Sequence, residues 1–145
     1  ELAENVKQHF LFRAQREGKE ICLSGSGEIT LLCDRTWIIE AISNLVKNAL
    51  DHTEKGSFVR IEWQAFASVV QITIKDNGCG IHPEDLHHIF KRFYRSRFSK
   101  DTQGIGLGLP LAKAIVEAHN GTIEADSTLG SGTSFTINFL IPSKF

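Results

Sequence analysis

Asn44, Asn48 and Asp51 lie in ISNLVKNALDHT, residues 42–53, at spacings that put them on one face of a helix with Glu40 one turn earlier. Ile38, Ile42, Leu45 and Ala49 fall on the nearly opposite side, so the helix has a core face and an oxygen-bearing face. An interior asparagine costs a helix up to ~0.7 kcal/mol against alanine. Two of them one turn apart are either a solvated outer face or a pair of oxygen ligands. Asp51 favours ligands, because a carboxylate near a helix C-terminus opposes the macrodipole and demands a cation beside it. Magnesium fits, since amide and carboxylate oxygens are the hard donors it takes.

Two glycine-rich stretches point the same way. Asp76 ends an alternating run and opens Asp76-Asn-Gly-Cys-Gly-Ile81, where Gly78 and Gly80 let a flat ligand approach a hydrogen-bonding carboxylate. A ligand-free Asp-Asn-Gly turn is the plain alternative. The run GIGLGL, Gly104 to Leu109, opens a helix, where bare amides and the positive end of the dipole meet an anion. It is not a dinucleotide fingerprint, because no apolar strand precedes it, and the chain has no GxxxxGK[ST]. Between these stretches, Lys91, Arg92, Arg95, Arg97 and Lys100 alternate with Phe90, Phe93, Tyr94 and Phe98. With a net charge of only −1, the chain is no general nucleic-acid binder, and this local patch wants an anion.

The elements that must position these residues follow from periodicity and turn chemistry. Residues 1–18 read as a helix ending at Gly18, and strands at 20–23 and 28–33 read as a hairpin about the turn 24–27. Asp34 or Thr36 caps the asparagine helix, 37–52. Strands follow at 58–66 and from Val70, joined by about four residues; then comes a short helix opened by Pro83 and carrying Ile89 and Phe90. A helix over 109–120 with Gly121 past its end, and strands at 122–125 and 133–141 around a turn at 127–132, complete the chain. The sum is one domain over residues 1–145, an α/β two-layer sandwich. Its sheet is mixed and mostly antiparallel, covered on one face by three longer helices.

With 145 residues, 41% of them hydrophobic, the chain can bury a substantial core. Cys22, Cys33 and Cys79 fit no zinc spacing, and their odd number suits a reduced, cytoplasmic setting. No apolar run reaches the ~18 residues of a membrane span, so any membrane attachment lies outside this sequence.

The asparagine helix, DNGCGI, the Phe90/Phe93 stretch with its arginines, GIGLGL and GSGTSF at 130–135 occur in one order. Together they resemble the N, G1, F, G2 and G3 boxes of the histidine-kinase catalytic and ATP-binding domain. This domain shares a superfamily with type II topoisomerases, a heat-shock chaperone and mismatch-repair ATPases. The resemblance implies a two-layer fold with a mobile ATP lid, and ATP and magnesium as ligands. Asn48 would hold the magnesium and Asn44 would support it or the phosphates. Asp76 would take the adenine amino group, with Gly78, Gly80 and Ile81 as pocket wall and Thr133 completing the contact. Gly104, Ile105, Gly106, Leu107, Gly108 and Leu109 would wrap the phosphates, Arg92 and Arg95 would clamp them, and Phe90 and Phe93 would seat the lid. Asp51 and His52 fall on the same groove, where the family often has a basic and an aromatic residue.

ATPases of that superfamily carry a glutamate as general base where this chain has Asn44, and an amide cannot take a proton at neutral pH. The resemblance therefore implies transfer of the γ-phosphoryl to a histidine on a separate dimerisation domain. A response regulator would stand downstream, and the full protein would be a homodimer attached to the membrane. No HE-type acceptor segment is present, and His9, followed by FLFRA, does not read as one. His82, His87 and His88 read as surface groups at a helix start, and His119 as support for its helix C-terminus. A serine-kinase anti-sigma factor of the same fold, and a non-catalytic ATP-binding module, are the alternatives.

Overall fold

The computed structural model describes residues 2–25, 34–66, 68–92 and 108–140. The strand expected at 28–33, Phe93, Arg95, and Gly104 to Leu107 lie outside the described residues. Asp34 starts the asparagine helix: its side chain accepts a hydrogen bond from the Trp37 amide at 3.3 Å, pairing one of the donors a helix start leaves over. Helix α2 then runs Arg35–Asp51. Ile38, Ala41, Ile42, Leu45, Val46, Ala49 and Leu50 are all buried along it, so the 3.6-residue period sets one whole side against the sheet.

That sheet has five strands in the order β1-β2-β3-β5-β4: β1 Glu20–Gly25, β2 Phe58–Phe66, β3 Val69–Asp76, β4 Gly121–Thr128 and β5 Gly132–Leu140. β2 with β3, β3 with β5 and β5 with β4 are antiparallel, while β1 lies parallel to β2. Helices α1 (Leu2–Glu17), α2 and α4 (Gly108–Ala118) form the other layer. One buried cluster joins Val6 of α1, the apolar face of α2, and Ala112, Ile115 and Val116 of α4 to Val59, Ile61, Ile74, Phe135 and Ile137 of the sheet. Each fully buried side chain of this kind contributes roughly 1.5–3 kcal/mol. Among the described residues, no helix is long and apolar enough to cross a membrane.

Several boundaries differ from expectation. β1 continues through Ser24 and Gly25, assigned above to a turn, and its described partner is β2. Phe66 pairs with Val69, so two residues link β2 and β3 where about four were expected. The Pro83 helix, α3, ends at Leu86, leaving Ile89 and Phe90 in the turns beyond it. At the end of α4 it is Asn120 that takes the left-handed conformation (φ 60°), so Gly121 is freed to begin β4. The last turn shrinks to 129–131 as β4 runs on to Thr128 and β5 starts one residue earlier than expected, at Gly132.

Candidate nucleotide-binding site

Asn44 and Asn48 are both half-buried on α2. The Asn44 amide nitrogen donates to the Glu40 carbonyl at 2.9 Å. Its oxygen faces the start of α4, where a Cβ on Gly108 would stand 3.3 Å away. That tight fit brings the first turn of α4, with Leu109, against the asparagine face. The Asn48 side chain has no hydrogen-bond partner among the described residues, which leaves its amide oxygen free for a ligand. No group of three or more His, Cys, Asp or Glu side chains gathers there, among the described residues, to cage a metal. One uncommitted amide oxygen suits magnesium, which keeps most of its ligands as water and substrate phosphate.

The cation that Asp51 demands is supplied by the protein itself. Arg13 Nη2 lies 2.7 Å from one carboxylate oxygen and Lys47 Nζ 3.0 Å from the other. This corrects the expectation that a metal ion satisfies Asp51. His52 closes the helix as its C-cap.

Asp76 ends β3 almost wholly buried, 5% exposed. Burial pushes its carboxyl pKa above the ordinary 3.8, opposed by hydrogen bonds from the Gly78 and Thr133 amides and by nearby His52. The Gly78 bond is 2.8 Å long. Buried Thr133 pairs with Asp76 across the β3–β5 ladder. The loop after Asp76 docks on the end of α2, where the Cys79 amide donates to the His52 carbonyl at 3.4 Å. The glycines serve these backbone contacts as well as any ligand: a Cβ on Gly78 would overlap the His52 carbonyl oxygen, and one on Gly132 the carbonyl of Asp76.

Ser127 is a site residue that sequence reasoning missed. Its hydroxyl accepts from the Ile81 amide at 2.7 Å, donates to the Gly132 carbonyl at 3.0 Å and contacts the Thr133 hydroxyl at 3.0 Å. It thereby ties the Asp76 loop to the turn between β4 and β5. No spacing marks it among the serines and threonines of that stretch. Ser127→Ala strands the Ile81 amide, and the expected result in a thermal melt is a loss of about 1–3 kcal/mol.

Phe90 packs edge-on to core Phe135, centroids 6.2 Å apart, with Lys113 Nζ 5.5 Å above its ring. This fastens the start of the basic stretch to the sheet and to α4, and Arg92 beyond it is exposed. His119 supports its helix C-terminus, with Nδ1 2.9 Å from the Ile115 carbonyl, and its Nε2 also accepts from the Asp34 amide at 3.2 Å. It thus joins the end of α4 to the start of α2. Asn44, Asn48, His52, Asp76, Gly78, Gly108 and Thr133 therefore gather around the asparagine face and the C-terminal end of α2.

Residues 33–143 match the family described as histidine kinase-, DNA gyrase B- and HSP90-like ATPases, and the chain belongs to that family. The sensor histidine kinase YvrG of Bacillus subtilis is 36% identical over 137 residues, covering 93% of this chain and 24% of YvrG. The solved mycobacterial sensor histidine kinase MprB superposes with a TM-score of 0.82 at 26% identity, covering 97% of each chain. Full-length ShkA, solved in complex with AMPPNP, superposes with a TM-score of 0.86 at 26% identity, covering 99% of this chain and 30% of that one. The chain spans about a quarter to a third of the length of the curated relatives it matches.

Proposed function

We propose that residues 1–145 are the ATP-binding catalytic domain of a two-component sensor histidine kinase. The observation that carries this reading is the pairing, at the C-terminal end of α2, of a buried carboxylate on Asp76 with an uncommitted amide oxygen on Asn48. Asp76 accepts the adenine amino group, Thr133 completes that contact, and Gly78, Gly80 and Ile81 form the wall. Asn48, supported by Asn44, holds magnesium, which when bound neutralises phosphate charge. Arg92 and Arg95 clamp the phosphates, Phe90 and Phe93 seat the lid, and the stretch from Gly104 to Leu109 closes over them. That AMPPNP is bound by a relative of the same fold supports the ligand class.

Asn44 offers no base to activate water, and its nitrogen is already given to Glu40. The domain therefore holds ATP for an acceptor brought to it, and positioning and charge stabilisation carry the transfer. The acceptor is a histidine on a dimerisation domain of the longer protein. That protein is a homodimer anchored to the membrane by other segments, with this domain in the cytoplasm and a response regulator downstream. The test incubates the full-length protein with γ-labelled ATP. Acid-labile, base-stable label on a histidine is expected; acid-stable label on a serine of a partner protein would mark the anti-sigma type of kinase.

A further inference from the structure

The last turn of α2 carries a charge cluster that the proposed reaction does not use. Asp51 follows Asn48 by three residues, a near neighbour on the same helix face. Its two oxygens are taken by Arg13 from α1 and by Lys47 one turn back. Glu17 aims Arg13, its Oε2 accepting Arg13 Nε at 2.8 Å, while its Oε1 accepts Lys19 Nζ at 2.8 Å. Those two cations hold the Glu17 carboxyl down at about 2. Lys19, its side chain 7% exposed, also donates to the Leu50 carbonyl at 2.6 Å, one of the acceptors that a helix end leaves unpaired. The Gly56 amide donates to the Gly18 carbonyl at 2.8 Å, tying the foot of α1 to the segment after α2. The turn beside Asn48 is thus held from α1 and the residues just after it, and the Asp51 charge on that face is neutralised by Arg13 of α1 together with Lys47 of α2. Arg13, Glu17 and Lys19 all precede residue 33, where the family match begins.

We propose that Arg13 is a positioning residue for the nucleotide site: with Lys47 it neutralises Asp51, and with Lys19 it fixes the last turn of α2, so the seating of α1 sets the affinity for a charged nucleotide. The proposal rests on the ATP-binding reading. Without Arg13, Asp51 keeps only the exposed Lys47 on one of its two oxygens, and its under-neutralised charge repels a triphosphate but not adenosine, so displacing Arg13 discriminates between the two ligands.

The experiment titrates ATP with magnesium, and separately adenosine, into the chain at a temperature where melting curves show each variant folded. Arg13→Met keeps most of the aliphatic stem and removes the charge. It is expected to weaken ATP about tenfold, more at low salt than at high, with adenosine unchanged. Adding Asp51→Asn to Arg13→Met is expected to restore ATP binding to within about twofold of wild type. Asp51→Asn alone removes the carboxylate charge with Arg13 in place, and ATP is expected to bind as tightly as to wild type or more tightly. An equal loss for ATP and adenosine, no recovery in the double variant, or weaker ATP binding by Asp51→Asn overturns the clamp while leaving the nucleotide site standing. A wild-type chain that binds neither ligand overturns both.

Discussion

Asp76→Asn is expected to leave the chain folded and to weaken ATP at least about 100-fold. The carboxylate is buried at the end of β3 and accepts from the Gly78 and Thr133 amides. A ligand amino group donating to it forms a charge-assisted hydrogen bond in a site screened from water, and an amide that must turn its own NH₂ toward that donor loses the bond and adds a clash. The fold has less to lose. Burial raises the Asp76 carboxyl above its unfolded value of 3.8, so ionised Asp76 is a destabilising element of the native state. The stability linked to its proton is fully present below pH 3.8 and is lost as pH rises through the higher native value. An asparagine at this position carries no such proton and suffers no such loss. The melting temperature of Asp76→Asn is therefore expected to match wild type in acid and to equal or exceed it at neutral pH. A variant that melts early and still binds ATP contradicts both halves of this expectation.

Gly132→Ala is expected to produce the largest loss of stability. Gly132 has φ 125°, a conformation that side chains rarely adopt, and a Cβ there would overlap the Asp76 carbonyl oxygen. The obstacle is backbone of β3, which cannot swing aside as a flexible side chain could. Strain and displacement together are expected to cost about 3 kcal/mol or more, a fall in Tm on the order of 10 °C. Because Thr133 and Asp76 face each other across this ladder, ATP affinity is expected to fall with it. Gly130→Ala is the control: its φ of 80° carries strain, but nothing lies within 4 Å of the added carbon. Comparing the two melts separates conformational strain from overlap.

Local chemistry made much of this molecule legible from its residues. The asparagine face of α2 followed from helical period, β2 from alternation, and the Asp76 loop from its glycines, each decided within a few neighbours along the chain. What escaped depends on distant partners. Of the two cations beside Asp51, Lys47 is a local i,i+4 neighbour but Arg13 is 38 residues away, and the parallel seating of β1 on β2 joins segments that sequence periodicity treats separately. Ser127 escaped because one hydroxyl, at a strand end rich in similar residues, serves the Ile81 amide 46 positions away. The glycines were found for an incomplete reason: Gly78 also makes room for the His52 carbonyl at the end of α2. Glu20 to Leu23 belonged to a strand as expected, but the strand's length was set by pairing with β2 through Gly25.

The most direct test of the ATP-binding claim is a calorimetric titration of this chain with ATP in the presence and absence of magnesium, alongside Asp76→Asn and Asn48→Asp. The account predicts one site per chain for wild type, tighter with magnesium. It predicts no measurable binding for Asp76→Asn, and for Asn48→Asp a changed magnesium dependence on an intact fold. A folded wild-type chain that gives no heat and no ATP-dependent rise in Tm, or an Asp76→Asn variant that binds as wild type does, contradicts it.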